Sequence, residues 1–462
     1  MCYVSASYLL SIFSIIPFIT STTIPLSHCH TNLSPSPSPF SYTYQNLINL
    51  VSSSLSRAHH LKNSKSRTTT TTETQLFSHS YGGYSIFLSF GTPPQTLPFI
   101  MDTGSDLVWF PCTHRYLCKN CSSSTSSSTP SFIPKQSSSS KILGCLNPKC
   151  SWIHHQNPQC RDCVDPNSRN CTQICPPYLI LYGSGTTGGI ALTETMDLPN
   201  RIIPNFLVGC SVFSSHQPSG IAGLGRGPAS LPTQLGLDKF SYCLLSHKFD
   251  DTSRSSSLML HSHLDSGHKT TGVSYTPFIK NPTVPSKEAF SVYYYVSLRE
   301  ISVGGRRLHI PYRFLKPQSD GDGGTIIDSG TTFTFMAHQV FESLATEFET
   351  QVDKYHKRAH DVELLTGLRP CFNVSGAKTF LFPEIRLHFK GGAELALPVE
   401  NYLAVVDDGG GVCMTVVTDG AAGTEVAAAG PGIILGNFQM QNFYVEYDLR
   451  NERFGFRQQL CQ

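Results

Sequence analysis

Charge is scarce in this chain. Asp, Glu, Lys and Arg make up 14% of its residues and the formal net charge is +2, so it carries no field to draw in a polyanion and no charged tail. A nucleic-acid partner is therefore not expected. Long apolar runs are scarce too. The run from Tyr8 to Ile19 spans a dozen residues, short of the roughly 20 that a membrane span needs. Small and polar residues follow it, so it reads as the core of a signal peptide over residues 1–24, although no Lys or Arg precedes it. The last residues, Phe456 to Gln462, offer no hydrophobic tail, so no membrane or lipid anchor is expected. The expectation is a soluble monomer, secreted to the extracellular space or cell wall, with the vacuole as the other destination. Helical periods are few: Gln339 to about Tyr355 is the best candidate, and residues 230–235 suit a short helix. The eighteen His are scattered without a ligand pattern, which implies no metal and no cofactor.

What the chain does have is cysteine. Of sixteen, Cys2 and Cys29 fall in segments expected to be removed, and nine of the remaining fourteen crowd between Cys112 and Cys175. An even set behind a signal peptide argues for disulfides and an oxidising compartment. Because nine is odd, at least one member of the crowd pairs outside it or stays free. Cys118-x-x-Cys121 and Cys160-x-x-Cys163 also have zinc-ligand spacing, but the intervening cysteines favour disulfides. The interval 113–175 is Ser-rich and poor in apolar residues, so it reads as a loop-rich surface insert held by those bonds. Asn120, Asn170 and Asn373 stand in Asn-x-Ser/Thr sequons and are candidate glycosylation sites.

Residues 20 to about 80 are polar and rich in Ser, Thr and Pro, with one modest amphipathic piece around Tyr44 to Val51. They form either a solvated linker or a propeptide, whose Arg57, Lys62, Lys65 and Arg67 would neutralise an acidic cleft. The propeptide is placed at 25–80, with cleavage between about Arg67 and Tyr81. From Tyr81 onward, short β-branched and aromatic runs alternate between Gly and Pro punctuation, as in Tyr84–Phe90, Glu384–Phe389 and Phe443–Tyr447. The fold class is all-β.

Within this pattern, Asp102-Thr103-Gly104-Ser105 lies between the apolar stretches Phe99-Ile-Met and Leu107-Val-Trp109. A lone Asp-Thr-Gly is most simply a turn. A second copy, Asp328-Ser329-Gly330-Thr331, changes that, because it too has apolar flanks and stands 226 residues downstream. Each copy is followed, after a similar interval, by a related motif: Gly220-Ile-Ala-Gly-Leu-Gly225 in one case and Gly432-Ile-Ile-Leu-Gly-Asn437 in the other. Such a repeat implies two related lobes, 81–270 and 271–462, with the seam in the Ser-rich, irregular stretch 253–285. Twin carboxylates at equivalent places suggest a facing pair. Two carboxyl groups at hydrogen-bond range share one proton, so one acts as base while the other acts as acid.

These residues resemble the pepsin-like aspartic endopeptidases, and within them the cysteine-rich plant enzymes of the nepenthesin type. The resemblance covers about Tyr81 to Gln462 and rests on Asp102–Trp109, Tyr182-Gly183-Ser184-Gly185-Thr186, Asp328–Thr331 and the Ile433–Phe438 region. It implies a bilobal β fold with a cleft between the lobes, a polypeptide substrate and activity at acidic pH. Asp102 and Asp328 would then be the catalytic pair. Thr103 and Ser329 would cross-bond beneath them, Gly104 and Gly330 would permit close approach of the loops, and Ser105 and Thr331 would bond the outer carboxylate oxygens. Tyr182, with Gly183 and Ser184, would form a flap whose phenol nears Trp109, and Cys371 would pair with Cys413. The saposin-like insertion of some plant relatives is absent.

The main rival is a catalytically dead relative acting as a secreted xylanase inhibitor or binding protein, a class that typically lacks part of the dyad; here both Asp residues and all four hydroxyls are present. A glycoside hydrolase also uses paired carboxylates, but would not need twin Asp-hydroxyl-Gly loops. Ser184 is no nucleophile elbow, because the Gly-x-Ser-x-Gly frame fails.

Overall fold

The computed structural model describes the strands Ser21–Pro25 and Ser41–Tyr42, parts of 44–55, and residues 73–461 apart from 122–129, 155–157, 161–170, 184, 200, 218, 247–253, 263–268, 286, 377–378, 407–409 and 420–429. Arg57, Lys62, Lys65, Arg67, Asn170 and Ser184 therefore lie outside the described residues.

The strand Tyr84–Phe90 shows how local pattern becomes sheet. Its alternation sends Ile86, Leu88 and Phe90 into the core and leaves Phe87 exposed. A tight turn returns the chain as Gln95–Asp102, antiparallel to it. Gly91 begins that turn at φ +101, a backbone setting that side chains rarely adopt.

Asp102 thus ends a central strand, and on its other side Gly220–Gly223 runs parallel, with Gly223 opposite Asp102. A Cβ on Gly223 would stand 2.3 Å from the backbone of Asp106, so only Gly permits this approach. The second lobe repeats the plan. Thr325–Ile327 leads to Asp328, flanked antiparallel by Tyr294–Val296 and parallel by Ile433–Leu435, with Leu435 opposite Ile327.

Between the lobes a further set of strands continues the first lobe's sheet. In spatial order these are Ser274–Pro277, Arg453–Gln458, Phe443–Asp448, Lys239–Cys243, Ser255–His261 and Glu73–Ser78, the last adjoining Tyr84–Phe90. Two sequence expectations meet this sheet. The stretch 253–285 is not irregular throughout, because Ser255–His261 and Ser274–Pro277 find partners in Lys239–Cys243 and Arg453–Gln458. Glu73–Ser78, inside the expected propeptide, is hydrogen-bonded along both edges and buries Leu76 and Ser78.

The helix His338–Val352 presents Val340, Phe341, Leu344, Phe348 and Val352 to the second lobe's core, where Phe348 stacks on Phe382. The short helix Leu231–Gln234 forms within the expected 230–235.

Disulfides join Cys112–Cys210, Cys118–Cys121, Cys145–Cys160, Cys150–Cys175, Cys243–Cys461 and Cys371–Cys413. Cys112 is a member of the crowded nine that pairs outside it. Within the insert, Cys150 on the helix Pro148–His154 is bonded to Cys175, three residues before the hairpin strand Tyr178–Tyr182.

Candidate active site

The two carboxylates arrive at the ends of buried strands. Asp102 is 2% exposed and Asp328 0%, and groups that costly to bury must be hydrogen-bonded. Each loop supplies its own donors. The Gly104 N–H donates to Asp102 Oδ1 at 3.0 Å, and the Ser105 hydroxyl donates to Oδ2. The Gly330 N–H donates to Asp328 Oδ1 at 3.0 Å, and the Thr331 hydroxyl donates to Oδ2. The two shells match atom for atom.

The loops are also tied to each other. The Thr103 N–H donates to Ser329 Oγ at 3.1 Å, and the Ser329 N–H donates to Thr103 Oγ1 at 2.8 Å. Each hydroxyl in turn donates a hydrogen bond across the seam, Thr103 to the Ile327 carbonyl at 3.3 Å and Ser329 to the Met101 carbonyl at 2.9 Å. Four crossed bonds between buried groups leave the loops little freedom to slide past each other. Two further buried phenols adjoin this junction. The Tyr447 and Tyr242 hydroxyls lie 3.0 Å apart. Burial pushes both well above the ordinary phenol range, so both stay protonated.

The hairpin strands Tyr178–Tyr182 and Gly185–Leu198 meet with Tyr182 opposite Gly185, leaving Gly183 at the described side of the tip. Tyr178 and Tyr182 face inward while Leu179 and Leu181 are exposed. The Tyr182 hydroxyl accepts a hydrogen bond from the Trp109 indole N–H at 2.8 Å, which fixes the phenol against the first lobe's core. Asn120 and Asn373 are exposed.

Other residues support the two loops. The Gly82 carbonyl accepts from Thr332 Oγ1 at 3.0 Å and from Asn437 Nδ2 at 2.9 Å, and the same Asn437 amide donates to the Ser329 carbonyl at 3.0 Å. Asn437 lies within the repeated motif, and the strand register, which sets Gly223 at Asp102 and Gly436 next to Leu435 at the Asp328 strand, puts Asn437 where the first lobe has Leu224. Ser54 lies in no such motif. Its hydroxyl accepts from the Phe333 N–H at 2.8 Å, and its neighbours Leu47, Leu50 and Val51 are buried in the second lobe's apolar cluster. Leu50 also reaches the Gly82–Thr332 contact.

Comparisons with known proteins agree with this geometry. Family models described as xylanase inhibitor N-terminal and xylanase inhibitor C-terminal match residues 84–260 and 293–458. A probable aspartyl protease of Arabidopsis thaliana is 34% identical over 82% of this chain and 82% of its own length. Aspartic proteinase nepenthesin-1 of Nepenthes gracilis is 34% identical over 82% of this chain and 78% of its own length. Among solved structures, edgp superposes with a TM-score of 0.63 at 19% identity, covering 86% of this chain and 97% of that one. Basic 7S globulin from soybean superposes at 0.60 and 18%, covering 85% and 96%.

Proposed function

We propose that this chain, which belongs to the pepsin-like aspartic protease family and is similar to its plant members, is an active endopeptidase that hydrolyses polypeptides at acidic pH. The observation that carries this reading is the completeness of the twin shells. Both carboxylates are present, each is held by one hydroxyl and one glycine N–H, and the loops are cross-bonded through Thr103 and Ser329. A scaffold kept only for binding could use the cross-bonds for stability, but it has no need of two buried carboxylates.

The chemistry follows from one shared proton. With one of Asp102 and Asp328 ionised and the other protonated, the ionised group takes a proton from a water as that water attacks the scissile carbonyl carbon. The protonated group gives its proton to the carbonyl oxygen. Collapse of the tetrahedral species returns that proton from oxygen to carboxylate, and the proton first taken from water passes to the leaving nitrogen. Pepsin is the standard example of such a dyad. The Ser105 and Thr331 hydroxyls stabilise the ionised form on whichever side it falls, and the Tyr182 hairpin is the candidate lid that excludes bulk water.

The N-terminal segment is read as a propeptide, delivered through a secretory route, with glycans on the exposed Asn120 and Asn373. In this reading the segment holds the second lobe through Leu47, Leu50, Val51 and Ser54. Processing falls before Glu73, because a cut after Ser78 would free a strand that is hydrogen-bonded on both sides.

A second reading has support of its own. The matching family models are described as xylanase inhibitor, and the solved structures similar in fold include a basic 7S globulin from soybean. In that reading the chain binds another protein and its dyad is idle. The two readings separate in one experiment: processed wild type and Asp102→Asn are assayed on an unfolded protein across the acidic range, with and without a statine-type inhibitor. Cleavage by wild type that is abolished by the inhibitor and absent in Asp102→Asn supports the protease. A folded, processed wild type that cleaves nothing sinks it.

A further inference from the structure

The shell around the twin loops is less symmetric than the loops themselves. In the first lobe, Tyr84 opens the strand beside Gln95–Asp102, and in the second, Tyr294 opens the strand beside Thr325–Ile327, paired with the residue just before Asp328. Both rings are 0% exposed. Their hydroxyls go to different places. Tyr84 donates to the Leu245 carbonyl at 2.6 Å, which belongs to neither carboxylate loop. Tyr294 crosses between the lobes and donates to the Leu224 carbonyl at 2.8 Å, with the Gly225 carbonyl 3.3 Å away.

That segment is the one that holds Asp102 in place. The Leu224 N–H donates to the Asp102 carbonyl at 2.7 Å, and the Gly225 N–H donates to the Ser105 carbonyl at 2.8 Å. The next residue adds a second crossing, because the Arg226 N–H donates to the Val292 carbonyl at 2.8 Å. Its guanidinium lies 6.0 Å from the centre of the Tyr294 ring. Burial holds the Tyr294 hydroxyl well above the ordinary phenol range, so it remains a donor throughout the acidic range.

We propose that Tyr294 is a positioning residue that registers the Asp102 loop against the Asp328 strand, its backbone paired with Ile327 and its hydroxyl holding Leu224. This path uses hydrogen bonds other than the Thr103–Ser329 cross-bonds, and the proposal rests on the protease reading above. It makes the two aspartates inequivalent in their support although their immediate shells match, because the tyrosine at this position in the second lobe reaches the segment bonded to the Asp102 loop, whereas Tyr84 in the first lobe bonds the Leu245 carbonyl.

The test compares Tyr294→Phe with Tyr84→Phe in the processed protein, each variant removing one hydroxyl from a fully buried ring. Thermal unfolding reports the structural cost of each, and steady-state kinetics on a peptide substrate reports kcat and KM. Misplacing a reacting group by about 1 Å costs on the order of a hundredfold in rate, so a partial drift of the Asp102 loop is expected to lower kcat about tenfold or more. KM should stay within about twofold, because loss of alignment at the reacting centre leaves ground-state binding intact. Tyr84→Phe should lose comparable thermal stability and keep wild-type kcat. Equal kcat in the two variants, a change confined to KM, or a Tyr294→Phe chain that fails to fold where Tyr84→Phe folds would overturn the proposal. An inactive wild type would instead sink the protease reading, and this proposal with it.

Discussion

Replacing Ser329 by Ala removes one hydroxyl from the point where the two lobes cross. That oxygen accepts from the Thr103 N–H at 3.1 Å and donates to the Met101 carbonyl at 2.9 Å, in a residue that is 0% exposed. The space left is that of one hydroxyl, too small for a water to take over both bonds. A buried donor without its partner costs about 1–3 kcal/mol, and a carbonyl left with a spare lone pair costs less, so the sum is about 2–4 kcal/mol. In a folded region of this size that lowers the unfolding midpoint by roughly 3–5 °C. Thr103→Ala strips the mirror-image contact, the Ser329 N–H at 2.8 Å, and should cost about as much. Because both changes act on one network, the double variant should lose less than the sum of the singles, by about 0.5 kcal/mol or more. Calorimetric unfolding of the wild type, the two single variants and the double variant at one pH closes the cycle. Additive losses, or a Ser329→Ala midpoint equal to wild type, would refute the claim that crossed hydroxyls hold the lobes in register.

Other perturbations address the surroundings. Burial alone would raise the Glu446 carboxyl, but hydrogen bonds from Tyr275, Thr270 and Tyr444 and the nearby Lys239 ammonium outweigh it and hold its pKa below the ordinary value. Its stabilising contribution is therefore complete above the unfolded carboxylate range and is lost as pH falls through its lower folded pKa. Glu446→Gln should lower the midpoint near neutrality and flatten its fall in acid; parallel midpoint-against-pH curves for variant and wild type would contradict this. Asn437→Asp replaces an amide that donates to the Gly82 and Ser329 carbonyls with a carboxylate facing the same acceptors. It should cost about 2–4 kcal/mol near neutrality and less in acid, where a protonated carboxyl can donate again; chemical denaturation at two pH values measures the difference.

The parts of the site that were legible are those whose chemistry is local. Asp102–Ser105 and Asp328–Thr331 repeat each other in sequence, and each builds its shell from its own next three residues, so motif and geometry coincide. The hairpin ending at Tyr182 and the helix near Gln339 were legible because their periods are short. The pairings that were not legible join partners far along the chain. Ser54 meets Phe333 across 279 residues and Asn437 meets Gly82 across 355, and no pattern within a window of ten or twenty residues records such a pairing. The stretch from Ser255 to Pro277 looked irregular because its two strands depend on neighbours contributed by Lys239–Cys243 and Arg453–Gln458. Strand propensity there reflects tertiary context more than the residues themselves. Cysteine arithmetic lies between these cases: an odd count left at least one member to pair outside the crowd or stay free, and only the fold chooses the pairing, with Cys210 as the partner.

The sheet shared by the two lobes also shapes how such a molecule survives near its own kind. Its first long strand, Glu73–Ser78, and its last, Arg453–Gln458, both lie between neighbours, and Cys461 is bonded to Cys243 on an inner strand. Chain ends are ordinarily where fraying begins and where proteolysis starts. Here Glu73–Ser78 and Arg453–Gln458 are each hydrogen-bonded along both edges, so neither strand offers an open edge to a neighbouring copy.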